Sequence, residues 1–276
     1  MRVKLIVDST VDLPQTYREK VITVPLSVLF GETEYLDGVT ITPRGFYEML
    51  VQSEQLPTTS QPTPAAFEEV YREALKEADE VLVITVSSRL SGTYQSATIA
   101  AEEFPGKVFV LDSRSAAIGA GILLEEAVAL AEQGMGAEQM LHELMEKRKQ
   151  LRVYAIVDTL EYLKKGGRLS STVAFVGGVL NLKPIICIED GAISVVGKAR
   201  GQKAAFAALT RECERIGVDA SRPLMLGYTG TGDENLRRYL EESNALWGSE
   251  PQTSIVGAAI GVHAGPGAVA VAFFGK

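Results

Sequence analysis

Apolar residues in this chain fall alternately into near-continuous runs and helically spaced sets. Val3 to Val7, Val81 to Val86 and Val108 to Leu111 are such runs, and they predict strands buried on both faces, as in a parallel sheet. Between them, Phe46, Met49 and Leu50, then Phe67, Val70, Tyr71 and Leu75, recur at helical spacing. Thr42-Pro43 and Thr63-Pro64 each supply a hydroxyl N-cap with proline at the first helical position, so helices are predicted from there to Val51 and to Ala78. Pro14 to Lys20 predicts a short helix, and Val21 to Phe30 a second strand, bulged or placed at an edge by Pro25. Helices near Ala116 to Glu132 and Ala137 to Gln150 close this half, separated by Gly134-Met135-Gly136.

The second half has another rhythm. Val153 to Val157 predicts a strand and Leu160 to Lys165 a helix stopped by Gly166-Gly167. Pro184 to Glu189 and Ala192 to Val196 flank Asp190-Gly191, a strong hairpin signal. A helix over Gln202 to Ile216, a strand over Pro223 to Tyr228, a helix over Asp233 to Leu246 and strands over Thr253 to Val256 and Ala268 to Phe274 complete the pattern. The fold class expected is α/β in two domains. Residues 1–151 form a parallel-sheet α/β/α domain and residues 152–276 an α/β domain with a mixed or antiparallel sheet, the two packed closely enough to hold a ligand in the cleft between them.

Composition narrows the possibilities. A chain of 276 residues with 46% hydrophobic and 22% charged residues has ample core and is not disordered. A net charge of −8 argues against nucleic acid or an anionic membrane as the main partner. Cys187 and Cys213 make neither a disulfide framework nor a zinc site and suit a reducing cytoplasm, where a soluble protein is expected. The first apolar run is too short for a signal peptide, and no stretch approaches the roughly 18 apolar residues of a membrane span.

Leu90-Ser91-Gly92-Thr93-Tyr94-Gln95 is the candidate chemistry. It follows the Val81 to Val86 strand and precedes a helix read from Ser96 to Ala101, where open parallel sheets bind ligands and helix N–H groups favour an anion. A helix cap with spare serines explains the same loop equally well. Other motifs fail. No GxxxxGK[ST] or GxSxG occurs, and Gly265-Pro266-Gly267 with Ala270 leads into a strand where a nucleotide motif needs a helix. His142-Glu143 lies on a charged helix face without the second histidine of a metalloprotease. His263 stands in what reads as a loop of small residues, either packing in a turn or meeting a ligand. Asp8-Ser9-Thr10 and Asp112-Ser113 follow buried strands and belong at the same sheet edge, while Lys164 to Arg168 and Lys198 to Arg200 are basic clusters, by default solvated.

Taken together, Asp8-Ser9-Thr10-Val11-Asp12-Leu13, Thr59-Ser60-Gln61-Pro62, Leu90 to Ala97, Lys165-Gly166-Gly167-Arg168-Leu169-Ser170, Lys183-Pro184 and His263 to Ala268 resemble, in this order, the motifs of the bacterial DegV family. The resemblance spans the chain from Val3 onward. It implies one long-chain fatty acid as ligand, held between two α/β domains in a buried tunnel, with no cofactor and no metal. It also implies a non-catalytic protein that presents the acid's carboxylate to a separate ATP-dependent fatty acid kinase subunit for phosphorylation to an acyl phosphate. On the matching positions, Thr59, Ser91 and His263 would hold the carboxylate, Ser9, Thr10, Ser60 and Thr93 would support that polar site, and Arg168 and Arg200 would dock the kinase. Two other readings stay open: a stand-alone carrier or sensor of fatty acids or another apolar carboxylate, and an enzyme using Ser91 and His263.

Overall fold

In the computed structural model, residues 2–13, 15–169, 181–248 and 251–276 are described. Pro14, expected to open the first helix, and Ser170, at the end of the Lys165–Ser170 motif, lie outside them. The first half runs β1 (Val3–Asp8), α1 (Gln15–Arg18), β2 (Val21–Val24), β3 (Ser27–Phe30), β4 (Thr33–Leu36), α2 (Pro43–Gln52) and β5 (Thr58–Ser60). It continues through α3 (Pro64–Ala74), β6 (Glu80–Thr85), α4 (Thr93–Ala101), β7 (Val108–Asp112), α5 (Ala117–Glu132) and α6 (Ala137–Lys147). The second half runs β8 (Leu151–Ile156), α7 (Glu161–Lys165), β9 (Leu182–Glu189), β10 (Ala192–Arg200) and α8 (Gln202–Ile216). It ends with β11 (Met225–Tyr228), α9 (Glu234–Trp247), β12 (Gln252–Ile255), α10 (Ala258–Ala264) and β13 (Val269–Phe274).

Two main sheets result, as expected for a two-domain α/β protein. The first is wholly parallel in the order β2-β1-β6-β7. The second is mixed, β10-β9-β8-β13-β11-β12, with only β11 and β12 parallel. The β9–β10 hairpin turns at Asp190-Gly191, both with positive φ, as the residue pair demands. Thr42 and Thr63 cap α2 and α3, accepting from the N–H groups of Gly45 and Ala66 at 3.1 and 3.3 Å.

Three features differ from the sequence reading. The run Val21–Phe30 is two strands divided at Pro25: β2 joins the parallel sheet, and β3 pairs with β4 and β5 in a separate antiparallel sheet. β4, β5 and α10 are elements that the apolar pattern does not mark. The helix after the Leu90–Gln95 loop starts at Thr93 rather than Ser96.

Helix α5 holds the two halves together. It is buried almost all round, which requires packing on every side. Ala120, Leu123, Leu124 and Ala127 meet Leu5, Val7, Leu82 and Ile84 of the parallel sheet, while Ile118 and Ile122 meet Leu151, Val153, Met225 and Phe274 of the mixed one.

Asp8 ends β1 and is fully buried; it accepts hydrogen bonds from the N–H groups of Thr10 and Val86 at 2.9 and 2.7 Å and from the Thr10 hydroxyl at 2.5 Å. It thereby ties the loops leaving β1 and β6. Burial outweighs these bonds and pushes its pKa up to about 6. The folded state thus favours the protonated carboxyl. The associated stability is complete below the ordinary aspartate range and is lost as pH rises through about 6. In urea unfolding, the stability difference between wild type and Asp8→Asn should move against wild type by about 2–3 kcal/mol between about pH 4 and about pH 7. A difference independent of pH would contradict this account.

Candidate functional site

The site is assembled from segments far apart in the chain, and α10 is its most constrained part. The segment Gly257–Gly265 is rich in glycine and alanine, so its helical propensity is weak and its position must come from neighbours. Two buried aspartates provide it. Asp12 Oδ1 accepts from the Gly257 N–H at 2.8 Å, and Asp37 accepts from the N–H groups of Ala258 and Ala259 at 3.0 and 3.1 Å. Gly261 lies against Phe46 and Tyr47 of α2, leaving no room for a side chain, and the Tyr47 hydroxyl donates to the Val256 carbonyl at 3.0 Å. His263 therefore sits in the last turn of a short helix rather than in the loop that its neighbours suggest.

From this helix the imidazole meets Thr59, carried by the middle of β5. Thr59 Oγ1 and His263 Nε2 are 3.1 Å apart across 204 residues of sequence. Burial, and then the charge of Arg168, pushes the His263 pKa down to about 4, so the ring is neutral at neutral pH. One hydrogen is shared between the two atoms. If Thr59 donates, the ring's own proton is on Nδ1; if the ring donates, the Thr59 hydroxyl hydrogen is free to point elsewhere. Nδ1 is buried, has no hydrogen-bond partner among the described residues, and lies where a Cβ on Gly166 would come within 2.2 Å.

Ser91 approaches from the loop before α4. Its Oγ is 2.9 Å from Thr93 Oγ1 and accepts from the Thr93 N–H at 3.3 Å, so it stands at the free N-terminal end of that helix. The Thr59–Gln61 segment is locked to this loop: Gln61 Nε2 donates to Ser96 Oγ at 3.0 Å, with the Gln61 amide pressed against Gly92.

Thr59, Ser91 and His263 border one cavity of about 120 Å3, together with Thr10, Thr229 and Arg168. That is room for on the order of ten water molecules. The remaining walls are aliphatic, including Leu26, Val86, Val157, Ile186 and Ile193; strands of the mixed sheet supply one side, and the loops that follow β1, β2 and β6 of the parallel sheet supply the other. The cavity is thus an apolar chamber between the halves of the molecule, with a cluster of polar groups on its lining.

The other expected site residues divide. Thr10 lines the cavity, and Thr93 is buried behind Ser91. Ser9 does not line it; its Oγ accepts from the Leu26 N–H at 3.0 Å and its hydroxyl supports the charge of Asp37. Ser60 is exposed and also stands apart from the lining. Arg200 is exposed at the end of β10. Arg168 differs from the expected solvated cation: it is half-buried, lines the cavity, and donates to the carbonyls of Leu90 and Gly166 at 3.0 and 2.5 Å. Asp12 and Asp37, which set the histidine's position, were not singled out from sequence, although Asp12 belongs to the Asp8–Leu13 motif. Thr229 also went unmarked; its Oγ1 accepts from the Ala268 N–H at 2.8 Å at the entry to β13.

Fold and site define a two-domain α/β protein that encloses an apolar cavity furnished with hydroxyls, a neutral imidazole and one guanidinium. A family model described as "Uncharacterised protein, DegV family" matches residues 2–276, and the chain belongs to the DegV family. A DegV domain-containing protein of Deinococcus radiodurans is 37% identical over 276 residues, covering 99% of this chain and 98% of its own. Two solved structures cover both chains in full. One, described by the fatty acid binding of a DegV family protein from Thermus thermophilus, has 37% identity and a TM-score of 0.90; the other, DegV of Bacillus subtilis, described as a fatty acid binding protein, has 32% and 0.87.

In an NMR titration of the unliganded protein, the His263 ring signals should hold their neutral positions down to a midpoint at about pH 4. A midpoint in the usual histidine range would show the ring to be solvated. Gly166→Ala should drive its methyl into the ring and break the Thr59–His263 hydrogen bond, seen as a changed His263 tautomer ratio.

Proposed function

We propose that this protein binds one long-chain fatty acid with its tail in the aliphatic cavity and its carboxylate at Thr59, Ser91 and His263. The proposal extends to presentation of that carboxylate to a separate ATP-dependent kinase subunit. The observation that carries the reading is the joining of an aliphatic chamber to one polar cluster, in which a 3.1 Å bond unites residues from opposite ends of the chain. Fatty acid binding in the names of the Thermus and Bacillus relatives supports the ligand class.

Energetics favour a tail-driven binder. About 15 methylenes, were all of them buried, would give at about 0.8 kcal/mol each an upper bound of about 12 kcal/mol before association costs. Because a cavity of about 120 Å3 is smaller than such a tail, its walls must part to take the whole of it. The head group then needs orientation more than affinity. Hydroxyls and a neutral imidazole orient a carboxylate while leaving an oxygen free to attack a phosphoryl group, whereas a bidentate guanidinium would occupy both oxygens. Arg168 has Nε and one terminal nitrogen committed to backbone carbonyls, so its share in the site is mainly through its field. A hydrolytic serine–histidine pair has less support: His263 Nε2 is engaged by Thr59, and among the described residues no hydrogen bond joins the ring to Ser91.

The second reading, a carrier without a kinase, draws on the same arginine. Of the two proposed docking cations only Arg200 is exposed, and Arg168 is held in the cavity wall. Mixing the loaded protein with a bacterial fatty acid kinase subunit and ATP separates the two. Acyl phosphate formation supports presentation, and intact binding with no phosphorylation supports the carrier.

Denaturing mass spectrometry of the purified protein should find close to one fatty acid per chain; an empty extract together with no uptake of palmitate or oleate would remove the function. Ser91→Ala should weaken binding about 2- to 10-fold, the worth of one neutral hydrogen bond, and slow carboxylate phosphorylation at saturation by more than that. Equal phosphorylation rates for saturated wild type and variant would rule out the assigned role of Ser91.

A further inference from the structure

On the far side of the acyl cavity lies a second cavity of about 410 Å3 that the proposed function does not use. Val153, Cys187 and Ile188 line both, so the two stand back to back across one layer of side chains. Their chemistry is opposite. Arg114, Arg148, Lys149 and Arg152 border the second cavity, against two carboxylates, Glu189 and Asp190, in a chain whose net charge is −8.

Two of these cations make no ion pair among the described residues. Lys149 pairs with Glu146, and Arg114 makes a long contact of 3.4 Å with the exposed Asp190. Arg148 donates to the Asp112 carbonyl and Arg152 to the carbonyls of Lys149 and Leu151, but among the described residues neither has a carboxylate within salt-bridge distance. Both are half-buried, and burial, then the charge of Arg114, pushes the Arg148 pKa down, against the nearby charges of Asp112 and Glu146, which offset this only in part. Partly desolvated cations held beside one another are costly unless an anion joins them. A second observation points the same way. Ser115 also lines the cavity, is 1% exposed, and its Oγ has no hydrogen-bond partner among the described residues.

From this arrangement we infer that the second cavity binds a phosphate monoester group. A dianion with three terminal oxygens matches two unpaired guanidiniums and a spare hydroxyl, whereas one carboxylate would leave a cation uncompensated. The group could be carried by a small soluble ester or by a lipid head group; both present the same chemistry to Arg148, Arg152 and Ser115. The site is independent of the acyl cavity's occupant, because none of these three residues borders that cavity.

The test uses the full chain, isotope-labelled, titrated separately with inorganic phosphate, with glycerol 3-phosphate, and with phosphatidylcholine vesicles with or without phosphatidic acid. Saturable shifts at Arg114, Ser115, Arg148 and Arg152 with the soluble anions identify a soluble ester. Binding only to vesicles containing phosphatidic acid identifies a head group. Either result must weaken about tenfold or more in Arg152→Gln, as expected for loss of a charge-assisted contact. Ser115→Ala, which leaves every cation in place, must weaken it about 2- to 10-fold. Fatty acid content should match wild type in both variants, which verifies that they are folded. No saturable binding in any arm, or binding undiminished in both folded variants, overturns the inference.

Discussion

Everything at the polar end of the cavity depends on how the first turn of α10 is held. A helix begins with N–H groups that have no partner inside it, and a seven-residue helix has few others with which to stabilise itself. Here Asp12 and Asp37, from the loop after β1 and the end of β4, take three of these N–H groups. The arrangement is costly. Burial foremost raises the pKa of both carboxyls, that of Asp12 strongly, and their mutual repulsion adds to the rise at Asp12. What the cost secures is position. The far end of the same helix carries the imidazole that must meet Thr59, and the β3–β4–β5 sheet that presents Thr59 belongs to the same N-terminal half as both aspartates.

The clamp also explains why the second half cannot be considered apart from the first. Residues 257–263 pack on α2 and β3 and are capped from the first half, although β12 and β13 on either side lie in the mixed sheet. Helix α5 works in the opposite sense, leaving the parallel sheet to bury Ile118 and Ile122 on the mixed one. Between these two exchanges lies the cavity. Its aliphatic walls are thus a consequence of how the halves are joined, and its polar cluster is a consequence of where α10 is clamped.

What could be read from sequence was whatever short-range chemistry decides. The threonine–proline caps, the Asp190-Gly191 turn and the apolar strands each carry their instruction within a few residues. The grouping of Thr59, Ser91 and His263 was legible only by resemblance, since no local signal links positions 204 residues apart. The split at Pro25 leaves no local signal because sheet membership depends on partners: Val28 pairs with Tyr35 and Thr59, not with the parallel sheet. Helix α10 was unreadable because the groups that stabilise its start lie 221 to 245 residues away. Arg168 departs from its local pattern for a related reason. A lysine- and arginine-rich stretch predicts solvent, but Gly167 with φ of 70° turns the chain so that the guanidinium reaches the Leu90 carbonyl.

That turn settles the electrostatics of the site. Burial foremost, and then the charge of Arg168, keeps the second proton off the histidine. The cavity then presents one guanidinium and one neutral ring, avoiding two buried cations side by side. Under the proposed reading, an arriving carboxylate changes both terms at once. Its charge offsets the field of Arg168 and itself favours a proton on the ring, while the tail displaces water and deepens the desolvation that disfavours one. These effects oppose each other at His263, so ligand binding need not convert the ring to a cation. The neutral imidazole can keep its bond to Thr59, and the carboxylate is then oriented by hydrogen bonds without being neutralised by a salt bridge.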